Sequence, residues 1–82
     1  MTNTRNPTVR ITLRAMLQRL NRALEEKRQV VRAPRGRGPH DGEYFILDTR
    51  RKVAVAANLS VRDLEEMAHE AGAIQPWEEV ER

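Results

Sequence analysis

The charge of this 82-residue chain is sorted along its length. Residues 1–38 carry ten Lys or Arg side chains against Glu25 and Glu26, while residues 63–82 carry seven acids against Arg82. A chain divided in this way has few options. Its acidic segment can fold back over the basic one as an internal counterion, or it can meet a second copy head to tail. Whatever basic surface is left over points to a polyanion, either nucleic acid or an anionic surface. The formal net charge is +3.

The length bounds the answer further. A chain of 82 residues makes one small domain that buries only roughly 60% of its unfolded surface, so its core is modest and a homodimer would add to it. Cysteine is absent, which removes disulfides, thiolate catalysis and thiolate metal sites and suits a reducing cytoplasm. No apolar run approaches the roughly 18–20 residues needed to span a bilayer. The polar stretch Met1–Pro7 is not followed by the apolar region of a signal peptide. The expectation is a soluble, cytoplasmic protein with no membrane partner.

Residues 1–8 read as a flexible arm. From about Thr12 the apolar residues Leu13, Met16, Leu17, Leu20, Ala23 and Leu24 recur at helical spacing, which predicts a helix from about residue 10 to 28 capped by Thr8 or Thr12. Val9–Leu13 also alternates apolar and polar residues, as a strand would. A basic strand leading into a helix is similar to the ribbon-helix-helix DNA-binding proteins, but the Pro/Gly-rich stretch 33–39 stands where their second helix follows. Gln29–Ala33 suits a short strand, and Pro34–Gly42 reads as a loop. Glu43–Asp48 and Lys52–Ala57 are β-type runs around the polar turn Asp48–Arg51, a hairpin. Ser60 with Asp63 three residues on opens a second helix, and Val61, Leu64, Met67, Ala68 and Ala71 line one face of it. Gly72 stands where a left-handed helix stop belongs, with Ile74 placed to fold back. The remainder is an extended tail that Trp77 is expected to anchor by packing on the domain.

Chemistry-bearing motifs are scarce. His40 and His69 are distant and without Cys, so they make no metal cluster, and no nucleophile–His pair, carboxylate pair or phosphate-binding glycine loop of known spacing occurs. The reading is therefore non-enzymatic, with no catalytic residue, no metal and no cofactor. The sharpest feature is the arginine-glycine loop, in which Arg35 and Arg37 sit among glycines that let a backbone follow phosphates. Arg50 and Arg51 at the hairpin tip form a second basic cluster. Arg14 and Arg22 project from the polar side of the first helix. With Tyr44, Phe45 and Trp77 the only aromatics, base stacking is poorly served, so phosphate charge would dominate.

Residues Gly42–Asp48, Asn58–Ser60, Asp63–Ala68 and Gly72–Glu78 resemble a group of small proteobacterial proteins. In these a Tyr-hydrophobic-Asp strand precedes a short acidic helix and a Pro-Trp-Glu ending; the resemblance implies no activity. The order of helix, three strands and helix is also similar in topology to the double-stranded-RNA-binding fold, including the HicA toxins that cleave RNA. His40 falls near the position of their functional histidine. Pro39-His40-Asp41 departs from their motif, and the acidic second helix departs from an RNA-facing one.

The expected fold class is α+β: a helix, a two- or three-stranded antiparallel sheet and a helix. One domain spans residues 9–77, with the arm before it and an acidic tail at 78–82. The expected function is a small nucleic-acid-binding adaptor that contacts phosphates of DNA or RNA through Arg14, Arg22, Arg35, Arg37, Arg50 and Arg51. The alternative is a protein-interaction or oligomerisation module, in which the basic helix meets an acidic protein surface or the acidic helix of a second copy.

Overall fold

Thr12 decides between the two readings of residues 9–13. Its backbone is extended, and its side chain accepts a hydrogen bond from the Ala15 N–H at 3.0 Å, so it is the N-cap. Before it Val9–Ile11 forms a strand, β1; after it Leu13–Leu24 forms the helix α1. The helix therefore starts later than the periodicity alone predicts. It also stops earlier, because Glu25–Lys27 tighten into a 3-10 turn and Arg28 turns left-handed at φ +58°. The computed structural model describes residues 8–33 and 42–81.

Three strands follow: β2 (Gln29–Arg32), β3 (Tyr44–Asp48) and β4 (Val53–Leu59), antiparallel in the order β2-β3-β4. Side chains alternate across a strand. Val31 lies opposite Ile46 and both are buried, whereas Arg32 opposite Phe45 and Val30 opposite Leu47 occupy the other face. The β3–β4 register shifts twice, between Tyr44 and Ile46 and again between Ile46 and Leu47, as extra β4 residues are accommodated. Asn58, at φ +58°, lies within the first irregularity.

The second helix, α2 (Val61–Glu70), opens on a full capping box. The Ser60 hydroxyl accepts from the Asp63 N–H at 3.0 Å, and the Asp63 carboxylate accepts from the Ser60 N–H at 2.9 Å. It closes as the glycine predicts. Gly72 sits at φ +73°, its N–H donates to the His69 carbonyl, the Ala73 N–H donates to the Ala68 carbonyl, and Ile74 is buried. The helices α1 and α2 contact each other. Met16, Leu20, Leu64 and Ala68 enter one core with Val31, Tyr44 and Ile46 of the sheet. The fold class is α+β, as expected.

The chain end differs from the sequence reading. Residues 78–82 are expected to be an acidic tail, yet Glu78–Val80 form a strand, β5, that pairs in parallel with β1 and sets Val9, Arg10 and Ile11 opposite Glu78, Glu79 and Val80. The Val9 N–H donates to the Trp77 carbonyl and the Glu81 N–H to the Ile11 carbonyl. Val80 and Ile11 then bury their side chains together in the core. Trp77, 48% exposed as a residue, does not bury itself in the domain to anchor this end. Backbone pairing and Val80 anchor it. The reason is period: one buried residue in three carries too little apolar signal to mark a strand in a run of glutamates.

Candidate nucleic-acid interface

The corner where α1 hands over to β2 carries the basic surface. The left-handed Arg28 exposes its carbonyl there, and the hairpin tip docks on it. The Thr49 N–H donates to that carbonyl at 2.8 Å and the Thr49 hydroxyl does so at 3.0 Å. The tip itself is set by Asp48. Its Oδ1 accepts from the Arg50 and Arg51 N–H groups at 2.9 and 2.8 Å, and its carbonyl accepts from the Lys52 N–H at 2.7 Å. Lys52 takes the left-handed conformation that returns the chain to β4. The Arg51 N–H holds the Asp48 carboxyl below the usual aspartate range; the Arg50 N–H and the two guanidinium charges add to this. The carboxylate therefore stays ionised and keeps the turn formed.

This docking joins two stretches that are distant in sequence. Arg22, Lys27 and Arg28 belong to the first and Arg50, Arg51 and Lys52 to the second, and the Thr49–Arg28 bonds are the contact between them. Between them lies an open cleft of about 500 Å³ bordered by Gln18, Arg22, Glu25, Arg28, Gln29 and Thr49. One turn before Arg22 on α1, and on β1, the arginines are already engaged by acids. Arg19 Nη1 donates to both carboxylate oxygens of Glu78 at 2.9 Å, and Arg10 lies 3.8 Å from Glu79. The Gln75 N–H and the Arg19 guanidinium together hold the Glu78 carboxyl below the usual glutamate range. The acidic segment thus does fold back over the basic one, through β5, and in doing so it uses Arg10 and Arg19. Arg62 pairs within α2 with Glu66 at 3.8 Å. Among the described residues, Arg14, Arg22, Arg28, Arg32, Arg50 and Arg51 take no part in a salt bridge.

Of the residues expected to contact phosphates, Arg22 borders this cleft, and Arg50 and Arg51 follow Thr49 at the docked hairpin tip. Arg14 stands two turns before Arg22 on α1, about 12 Å along the axis at roughly 1.5 Å per residue, outside the cluster. Arg35 and Arg37, like His40, lie outside the described residues. Arg28 is the residue that sequence reasoning missed. Left-handed positions usually advertise themselves with Gly or Asn, and an arginine there gives no such signal. His69 is exposed, its Nε2 3.0 Å from the Glu78 carbonyl oxygen. No group of three or more His, Asp or Glu side chains among the described residues is placed to hold a metal ion.

A cluster of exposed guanidinium groups on a rigid corner can grip phosphates bidentately, which ammonium groups cannot do. Comparison with protein-family models, with curated proteins and with solved structures finds no match.

Proposed function

We propose that this chain is a small, non-enzymatic, cytoplasmic nucleic-acid-binding adaptor that holds phosphates at the α1–β2 corner through Arg22, Arg28, Arg50 and Arg51. Arg14 on the helix, and Arg35 and Arg37 of the arginine-glycine sequence, add further phosphate contacts. The observation that carries this reading is the docking of Thr49 on the Arg28 carbonyl. It sets the hairpin tip that carries Arg50 and Arg51 against the end of α1, while the acids of β5 are engaged by Arg19 and Arg10. Contacts of this kind fix position without reading bases, so little sequence preference is expected.

The test is a mobility-shift titration with generic duplex DNA and duplex RNA over a series of salt concentrations. Each neutralised phosphate contributes about 0.9 to the slope of log affinity against log salt on B-DNA, so Arg50→Ala with Arg51→Ala should flatten the slope by about two contacts. The loss should be the same for unrelated sequences. Arg62→Ala on α2 should leave both affinity and slope unchanged. Absence of binding to either polymer at low salt refutes the proposal, as does a double variant that binds like the parent.

A further inference from the structure

The two edges of the three-stranded sheet are treated differently. At β2 the outward Val31 N–H is taken by the Asn21 side chain of α1 at 2.7 Å, so the helix closes that edge. At β4 nothing among the described residues bonds to the outer edge of residues 53–59, which pair only with β3. This strand is also the longest in the fold. Its sequence, Val53-Ala54-Val55-Ala56-Ala57-Asn58-Leu59, contains no charge and no proline. Val53 and Val55 are 47% and 49% exposed, two of only four large apolar residues so exposed among the described residues. Free edges are guarded by a lysine, a proline, very short length or bulges; β4 has the two bulges but none of the other guards, and an open edge is a template for another strand.

We propose that β4 pairs antiparallel with the β4 of a second copy, joining two three-stranded sheets into one of six strands. Charge selects this occupant over a foreign strand. The antiparallel arrangement is two-fold symmetric, so the strand must tolerate its own reverse, and an uncharged run sets no like charges opposite each other. Centred on Ala56, between the two bulges, the pairing sets the Lys52–Val53 end of one copy against the Leu59–Ser60 end of the other. The tip Arg50-Arg51-Lys52 of one copy then stands beside the start of α2 in the other. That helix carries Asp63, Glu65, Glu66 and Glu70 against the single Arg62, so each end of the paired strands joins a basic group to an acidic one. The pairing also covers part of the exposed Val53 and Val55 side chains, a gain for a domain in which eleven of the described residues are buried.

Sedimentation equilibrium in the absence of nucleic acid tests this independently of the phosphate-binding reading. The expected mass rises with concentration from 9.5 kDa toward twice that value. Val55→Lys and Val55→Glu, each at an exposed position, should raise the dissociation constant roughly tenfold or more by placing like charges near one another across the two-fold axis. An equal mixture of the two variants should regain the doubled mass, a rescue that a misfolded variant cannot give. A parent that stays at 9.5 kDa at every concentration overturns the proposal. So does a dimer that ignores both substitutions, which would place the contact on another surface such as the sheet face bearing Phe45 and Leu47. A mixture that remains monomeric also overturns it.

Discussion

Leu20→Ala tests the axis on which the whole fold turns. Leu20 lies at the centre of α1, is 0% exposed, and sits in the core beside Met16, Ile46 and Leu64, all three at 2% exposure or less. The change removes three carbon groups, worth about 0.8 kcal/mol each in lost transfer, or about 2.4 kcal/mol together. If half the vacated space survives as a cavity of roughly 40 Å³, another kcal/mol or so is added at about 24 cal/mol per Å³. The total is about 3.4 kcal/mol, inside the range of about 2–5 seen for such truncations. A domain of this length holds about 4–12 kcal/mol in all, so roughly a quarter or more of the stability is at stake. In urea unfolding followed by circular dichroism the midpoint should fall while the slope stays the same. The melting temperature should drop by at least 12 °C, at about 4–8 °C per kcal/mol. Leu17→Ala is the internal control, because Leu17 is only half-buried at the rim of the same face and should cost clearly less. Equal effects, or a larger one at Leu17, would show that the helix presents a different face to the sheet.

Asn21→Ala removes the acceptor from the Val31 N–H and should cost about 1–2 kcal/mol, the lower part of the range for an orphaned donor because the site is only part-buried. Alanine's better helix propensity returns about 0.5 kcal/mol of that. Asn21→Asp keeps an acceptor at the same place and should recover most of the loss in urea unfolding; a variant no better than alanine would mean the bond contributes nothing. Asp48, Asp63 and Glu78 all have folded pKa values below their ordinary values of 3.8, 3.8 and 4.5, so their contribution is present above that range and is lost as pH falls through the lowered values. Melting temperature should therefore decline on acidification below about pH 4.5, less steeply in Glu78→Gln, and a flat profile down to about pH 2 would contradict the assignment.

Part of the candidate site could be read from the chain alone, and part could not. Arg22, Arg50 and Arg51 could be picked out because a polar helix face and a hairpin turn each expose what they carry. That the hairpin tip docks on Arg28 depends on where Thr49 lands, and the two partners lie 21 residues apart. Which arginines remain available was equally hidden. Arg19 looks the same in sequence as Arg22, yet Glu78 takes the first and not the second.

The elements that sequence determined by itself are those decided within a turn or two of chain. Thr12 caps α1 through an N–H three residues on, Ser60 and Asp63 satisfy each other across one turn, and Gly72 ends α2 because it reaches a positive φ without the strain of a side chain. The β-type run Glu43–Asp48 marked β3, in which Tyr44 and Ile46 face the core. Only the tertiary structure decided that Glu78–Val80 is a strand, that the chain end is held by backbone rather than by Trp77, and that Asn21 closes one sheet edge while β4 stays open. Each of these joins groups far apart in the chain. No local periodicity records such a partner, because the pairing exists only once the core has closed and brought the two strands into register.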